Sequence, residues 1–473
     1  MRLYSLSFRA TLLARHSEKR SAGPSSVLEV TTAPTIAFLL FAILSNRRSK
    51  PLRIWLASIG ERPHSSTDPP ERALRMSLLA DAIVRGGGEV TWWSTAFDHT
   101  HKRFVTPRGM RYKVGPRYEV ILSAAPGYKR NVSVRRLIFN FRTSRRIAQL
   151  AALEPKPDLI LTSYPPIEVV SEVAAYGRRH SIPTIADIRD LWPDIWLDAA
   201  PAAAKPIAKL LLSPYFELSR SSLASITAIT GITDEFVAWG LARAGRTAGA
   251  FDRAFPFGYS LPILAPETIG LANQFWNELL ENGKAQPALR LCLIGKIGAR
   301  TGQEHVIEAI RLLPPEAKAR VQLVICGVDL RQATAKYESD PAIVYAGWVD
   351  QPKIITLMER SDLGIIPYPN TIDFQNSLSN KTIEYLAGGL ALTTGLDGKV
   401  RQLISDNDCG YLYSDQSASS YRNLLLEILA DRQTLERRKK AARKLYQEQF
   451  RAESVYGDFK DYLFEVVVAH RRV

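Results

Sequence analysis

The chain has 473 residues, 46% hydrophobic and 23% charged; this is a globular composition that excludes intrinsic disorder and, at ~100–200 residues per domain, requires two or three domains. Three cysteines, Cys292, Cys326 and Cys409, are too few and too dispersed for a disulfide framework or a zinc cluster, so a reducing cytoplasm and idle thiols are expected. The net charge of +15 is concentrated: residues 101–150 carry thirteen Lys/Arg against one acid and residues 1–50 eight against two, while the other 373 residues sum to −3. A basic patch rather than a basic protein is to be explained, and its partners are nucleic acid, anionic lipid or a phosphorylated substrate.

Residues 1–32 are rich in Arg, Ser and Thr without periodicity, and residues 33–44 form an apolar stretch closed by Arg47, Arg48 and Lys50. Twelve residues fall short of the ~20 that span a bilayer, and basic residues stand where a signal peptide would have its cleavage site. Two readings stand for residues 1–50: an upstream extension outside the fold, disordered, or an interfacial membrane segment. The folded protein is expected to begin near Pro51.

A buried strand is predicted over residues 52–58, then a loop with Gly60, Glu61 and Arg62. A helix over 71–86 follows, with Leu74, Leu78, Leu79, Ala82 and Ile83 at helical spacing, and a strand over 89–94. Short apolar strands at 158–162, 184–188 and 225–230 alternate with helices at 167–179 and 233–241. The helix predicted at 206–222 carries Ile207, Leu210, Leu211 and Tyr215 as plain core. From residue 290 the alternation restarts, with strands at 291–294, 321–326, 343–345 and 363–366 and helices at 303–313, 352–360 and 381–388. Two doubly wound α/β units follow, over 51–250 and 290–433, joined by a loop-rich linker at 251–289. A final helical run, 434–470, is long enough to pack back on the first unit.

The most specific constellation is Ser377-Leu378-Ser379-Asn380-Lys381, running through Glu384 to Gly388 and Gly389. A polar loop feeding a helix points first-turn amides and the helix dipole at whatever lies in front, an anion site. Lys381 adds a charge suited to phosphate, and Glu384 one turn on can accept from vicinal ribose hydroxyls. The alternative is an ordinary helix start, with Asn380 as N-cap and Glu384 on a solvated face.

Around this helix, one strand ends in Gly295-Lys296 and another in Gly327; a turn Gly347-Trp348-Val349 follows, then a strand ending in Pro367. In order and spacing over residues 290–413 this half resembles the retaining glycosyltransferases of family 4, which have the GT-B fold of two Rossmann-like domains facing across a cleft. The resemblance implies that Glu384 holds the donor ribose and that Lys296 contacts the diphosphate. The main chain of Gly347, Trp348 and Val349 would hold the base, and Ser377 to Asn380 would line phosphates and sugar. Two departures stand out. The family's Glu-x7-Glu motif keeps only its second member, since position 376 is Asn, and Arg300 or Thr301-Gly302 replaces the Lys-Gly after the first strand.

In the first half, Phe97-Asp98-His99 and the run from Ala186 to Asp194 resemble the subgroup of bacterial O-antigen and capsule amino-sugar transferases that includes the fucosamine transferases. The resemblance implies catalytic roles for Arg189, Asp190 and Lys296, with His99 and Asp190 on the acceptor side and Gly60 on the donor-sugar side. It also implies a metal-independent, retaining reaction in which the departing phosphate oxygen takes the acceptor proton. No metal site and no cofactor are expected, the nucleotide-sugar (a UDP- or GDP-sugar) being a substrate. None of the seven histidines forms a His-x-x-x-His pair. A sugar-nucleotide epimerase of the same fold and a non-catalytic GT-B binding protein are the other readings.

Within the basic block, Val134, Leu137, Ile138 and Phe141 share one helical face, with Arg135, Arg136, Arg142, Arg145 and Arg146 elsewhere. That is the profile of a helix lying on an anionic membrane, or of a helix buried by its apolar side with a solvated basic face. No nucleic-acid recognition module is discernible. The expectation is a peripheral enzyme on the cytoplasmic face of the plasma membrane, acting on a lipid-linked surface polysaccharide acceptor.

Overall fold

A computed structural model of the chain describes residues 50–63, 73–131, 133–281, 287–295, 301–327, 329 and 339–472. The N-terminal stretch read above as an extension or an interfacial segment lies outside the described residues except for Lys50.

The first half contains β1 (Arg53–Ala57), α1 (Arg75–Arg85), β2 (Glu89–Thr95), β3 (Phe97–Asp98), β4 (Arg103–Phe104), β5 (Met110–Gly115) and β6 (Tyr118–Ser123). It continues through α2 (Val134–Ala151), β7 (Leu159–Tyr164), α3 (Ile167–His180), β8 (Thr184–Ile188) and α4 (Asp194–Asp198), then α5 (Lys205–Ala224), β9 (Ala228–Gly231), α6 (Asp234–Ala244) and β10 (Arg253–Ala254). The strands make a sheet of order β10-β9-β8-β7-β1-β2-β6-β5, parallel except for β5. Alternation along β1 explains the two layers. Ile54 and Leu56 join α1 and the C-terminal helix in one core, whereas Trp55 and Ala57 face α2 and α3 in another.

The second half runs α7 (Pro266–Trp276), β11 (Leu289–Leu293), α8 (Glu304–Arg311), α9 (Pro315–Lys318), β12 (Val321–Cys326), β13 (Ile343–Gly347), α10 (Gln351–Glu359) and β14 (Leu363–Ile366). It ends with α11 (Ile372–Gln375), α12 (Asn380–Gly388), β15 (Ala391–Thr394), α13 (Lys399–Asn407), β16 (Gly410–Leu412), α14 (Ala418–Ala430), α15 (Arg432–Leu445) and α16 (Ala452–His470). Its sheet is all parallel in the order β13-β12-β11-β14-β15-β16, the doubly wound order with a switch point between β11 and β14. The three cysteines are buried and unpaired with one another.

The sequence reading needs correcting at four places. The hairpin β5–β6 was not expected, because β5 is an exposed, basic edge strand without apolar alternation. The stretch read as linker holds α7, with Pro266 at its first turn; Trp276 is fully buried and donates from its indole nitrogen to the Lys353 carbonyl (2.9 Å). The final helical run is broken at Arg451, which is extended. Finally, Ile207, Leu210 and Leu211 are not core: all three are exposed.

The chain crosses between the two sheets twice, and the crossings are bonded together. Tyr259 donates its amide to the Phe450 carbonyl (2.9 Å), and Ala452 donates to the Tyr259 carbonyl (3.0 Å). Beneath them lies a buried ion pair. Arg75 on α1 binds Asp187 at the end of β8 through Nε and a terminal nitrogen, both at 2.9 Å, and its other terminal nitrogen donates to the Pro256 carbonyl (2.8 Å). Its guanidinium also lies 5.1 Å from the Phe459 ring centroid on α16. Burial alone would raise the Asp187 carboxyl, but Arg75 and Arg189 beside it hold it well below the usual range.

No described helix is long and apolar enough to cross a membrane.

Arg75→Ala is expected to cost about 3–5 kcal/mol in urea unfolding, because it strands a buried carboxylate. Since the Asp187 pKa is depressed, this contribution is full above pH ~4 and fades on acidification through the folded-state value. A loss below about 1 kcal/mol would show that the pair does not hold the crossing.

Candidate functional site at the sheet edges

In open parallel sheets, ligands sit outside the carboxyl ends of the strands at the switch point. In the second sheet that point lies between the loops after β11 and β14, and α12 begins beside it. Gly295, two residues beyond the end of β11, has φ +114°, and a Cβ there would lie 2.5 Å from Cε of Lys381. The lysine stem therefore crosses the glycine, and any other residue would be strained by the positive φ and would have to displace the end of the Lys381 side chain. The Lys381 ammonium lies 5.3 Å from the Tyr368 ring centroid, and Tyr368 itself stacks on Phe374 at 4.4 Å. Burial pulls the Lys381 amine down to about 8, against the nearby Glu384 charge, which favours the ammonium.

The N-cap of α12 is Ser379, whose hydroxyl accepts from the Thr382 amide (3.4 Å); Asn380, expected as the cap, is the first helical residue. Glu384 is buried, so the solvated-face alternative does not hold. Ser377 and Leu378 are half-buried in the loop leading to the cap. Gly347 closes β13 with φ +67°, Trp348 after it is exposed, and Val349 is half-buried. Lys296 and Arg300 lie outside the described residues.

At the first sheet the picture departs further from expectation. Arg189 does not project freely: its Nε donates to Asp187 (2.8 Å) and a terminal nitrogen to Glu61 (3.1 Å). Asp190 turns back into its own loop, accepting from the Leu191 amide (3.0 Å) and the Trp192 indole (3.2 Å). The loop at Gly60 is open, but the amides at the start of α1 are already bound. Glu61 accepts from Met76 and Ser77 there, at 3.0 Å each.

Arg136 was grouped with the outward basic residues, and the structure turns it inward. Its guanidinium lies 4.5 Å from the Trp192 ring centroid and 5.7 Å from that of Tyr128, and burial lowers its pKa. The Lys102 ammonium lies 4.5 Å from the Tyr128 ring centroid and donates to the His99 carbonyl and to Asn131, and His99 hydrogen-bonds the Tyr128 hydroxyl through Nδ1. His99, Lys102, Tyr128, Arg136, Asp190 and Trp192 thus converge at the carboxyl edges of β2, β6 and β8, a cationic and aromatic floor that the sequence reading found only in part. Lys102 and Tyr128 lay inside the basic block but had no spacing signal to single them out.

Two contacts join the halves next to the loop that leads into α12. The Thr233 hydroxyl donates to the Asn376 carbonyl (2.8 Å), and Lys399 pairs with Glu235 (2.7 Å). Position 376, where the resembled family has glutamate, therefore meets the first sheet through its main chain. An Asp-x-Asp sequence in the second half, Asp406-Asn407-Asp408, lies before the amino end of β16, away from this edge. Asp408 is bound there by Arg438 (2.9 Å).

A sucrose-phosphate synthase from Thermosynechococcus elongatus superimposes with a TM-score of 0.65 at 16% identity, covering 88% of this chain and 100% of that one. The fold is GT-B. Anabaena HepE in complex with UDP is similar too, with a TM-score of 0.58 at 13% identity and coverage of 88% and 100%. Residues 275–445 match the family of glycosyl transferases group 1. An uncharacterized glycosyltransferase of Methanocaldococcus jannaschii is 22% identical over 151 residues, which is 31% of this chain and 37% of that protein's length. The described β11–α15 architecture, including Lys381 and Glu384, falls within the matched segment; the first-sheet floor lies outside it.

Because Lys381 titrates near 8, an anion held by its ammonium is expected to bind progressively more weakly as pH rises through that value. Calorimetric titration with UDP and GDP between pH 7 and 9 should show the decline. Lys381→Met should lower affinity and flatten the profile; an unaltered profile would place the anion elsewhere.

Proposed function

We propose that the protein is a retaining, metal-independent glycosyltransferase that moves a hexosyl unit from a UDP- or GDP-sugar to a lipid-linked surface polysaccharide acceptor on the cytoplasmic face of the membrane. The observation that carries the reading is the start of α12 at the switch point, where Lys381 and buried Glu384 share one turn of a helix within the segment matched to group 1 glycosyl transferases. The first-turn amides and Lys381, with Lys296, would stabilise the departing diphosphate, and Glu384 would accept from the ribose hydroxyls. HepE, crystallised with UDP, supports a nucleotide-linked donor.

The acceptor would lie on the first-sheet floor. Arg136 and Lys102 beside Tyr128 suit a phosphate or another anionic group of the acceptor, and Trp192 offers a face for a sugar ring. Arg189, fixed between Glu61 and Asp187, would position this loop and not act on the substrate itself. The outward arginines of α2, Arg135, Arg142, Arg145 and Arg146, would face anionic lipid, with Arg136 removed from that set.

Incubation with UDP- and GDP-sugars should release nucleoside diphosphate in an acceptor-dependent manner; an epimerase would convert the sugar nucleotide without acceptor, and a binding protein would do neither. Glu384→Ala and Lys296→Ala are each expected to lower turnover at least tenfold, ~1.4 kcal/mol of transition-state stabilisation. Near-normal turnover in both would contradict the donor site. In vesicle flotation, binding should rise with anionic lipid and fall on charge reversal of Arg142, Arg145 and Arg146 together. Flotation indifferent to lipid charge would remove the membrane from the reading.

A further inference from the structure

The exposed apolar residues of α5 are unexplained by the donor and acceptor sites. Ile207 is 65% exposed and Leu210 and Leu211 are 73% exposed, and residues 201–203 before them are exposed and uncharged. Only from Ser219 onward does α5 contribute fully buried residues. Three large aliphatic side chains at i, i+3 and i+4 on the solvent side of a well-formed helix form a contiguous patch rather than scattered exposure.

A second such patch lies on α2, where Val134 is 72% and Phe141 54% exposed, with Ile138 between them. Topology puts the two patches on one side of the molecule. The connections β6–α2–β7 and β8–α5–β9 step across the sheet in the same direction, so right-handed crossovers place both helices on the same face, with α3 between them. Each follows a parallel strand, so both begin at the carboxyl edge and expose their amino-terminal turns there.

The charges on the patch-bearing stretches of the two helices are cationic, although Asp198, exposed at the end of α4, precedes the α5 patch. α2 contains no acidic residue, and its outward side carries Arg135, Arg142, Arg145 and Arg146; α5 has Lys205 and Lys209 beside its patch and no acid before Glu217. Glu172 of α3, 3.6 Å from Arg145, offsets one of these. A second copy of the chain would bring like charges together across such a face, whereas an anionic bilayer accepts both the apolar side chains and the flanking cations.

We propose that the amino-terminal turns of α5 are a membrane-inserting element, which together with α2 forms a two-helix surface that docks the carboxyl edge of the first sheet on an anionic bilayer. This deepens the membrane-facing part of the proposed function, but it is read without any sugar donor, so it can stand if the transferase reading fails.

The test uses the full chain and phosphatidylcholine vesicles with and without phosphatidylglycerol. The double variant Leu210→Glu, Leu211→Glu is expected to partition onto the anionic vesicles about tenfold or more weakly, with its circular dichroism and urea-unfolding midpoint unchanged as evidence of an intact fold. An environment-sensitive dye on Leu210→Cys should shift to the blue on vesicle binding. Unaltered partition of the double variant, or a dye that stays in water while the protein binds, would overturn the proposal and leave α2 or residues 1–50 as the anchor. A concentration-dependent dimer lost in the double variant, without vesicle binding, would assign the patch to self-association and overturn it equally.

Discussion

The guanidinium of Arg75, removed from water and gripping Asp187 with two 2.9 Å hydrogen bonds, sets the geometry on which the first half's working edge depends. Both charges are buried, and each is costly without the other, so α1 and the end of β8 have little freedom to separate. Around them the Thr230 hydroxyl donates to Asp187 (3.0 Å), and Arg189 bridges from Asp187 to Glu61. Glu61 in turn holds the amides of α1. The loops after β1 and β8 are therefore one braced unit. The same arginine reaches Pro256 at the outbound crossing and Phe459 on the returning helix, which ties that unit to the passage between the two sheets.

This bracing divides the labour of the residues. Arg189 and Asp190, expected as catalytic, hold loops; among the described residues, Lys102 and Arg136, each also hydrogen-bonded to Asn131, lie at the edge of the first sheet and Lys381 at that of the second. Aromatic rings accompany each of them: Tyr128 and Trp192 in the first half and Tyr368 in the second. Burial lowers the pKa of Lys381 and of Arg136, while the ring faces beside them favour the charged form to which an anion would bind. The contacts from Thr233 to Asn376 and from Lys399 to Glu235 place the beginning of α6 against the loop that leads into α12, so the two halves are in touch beside that helix start.

Much of this was legible in the sequence, for reasons particular to each element. The buried parallel strand 363–366 reads as a continuous apolar run, and 184–188 and 321–326 as short apolar strands interrupted by Asp187 and Gln322; the structure has all three at those limits. The helix bearing Lys381 and Glu384 was legible because a polar loop, a cap and a charge pair fall in one short window. Its cap was misplaced by one residue, since Ser379 and Asn380 are both competent caps. Periodicity showed that Ile207, Leu210 and Leu211 share a face but not whether anything covers it. Arg75 and Asp187 stand 112 residues apart, and no local pattern links them. Likewise Arg136 sits among outward arginines, and its inward contacts with Trp192, Tyr128 and the Asn131 carbonyl are tertiary features that local spacing does not show.

The central claim is that nucleotide binds at the start of α12. A crystal structure of the full chain with a bound nucleoside diphosphate tests it most directly. Ribose hydroxyls are expected within hydrogen-bond reach of the Glu384 carboxylate, and the terminal phosphate at the first-turn amides of α12 beside Lys381. Nucleotide bound at the first-sheet floor, or with its ribose away from Glu384, would contradict it.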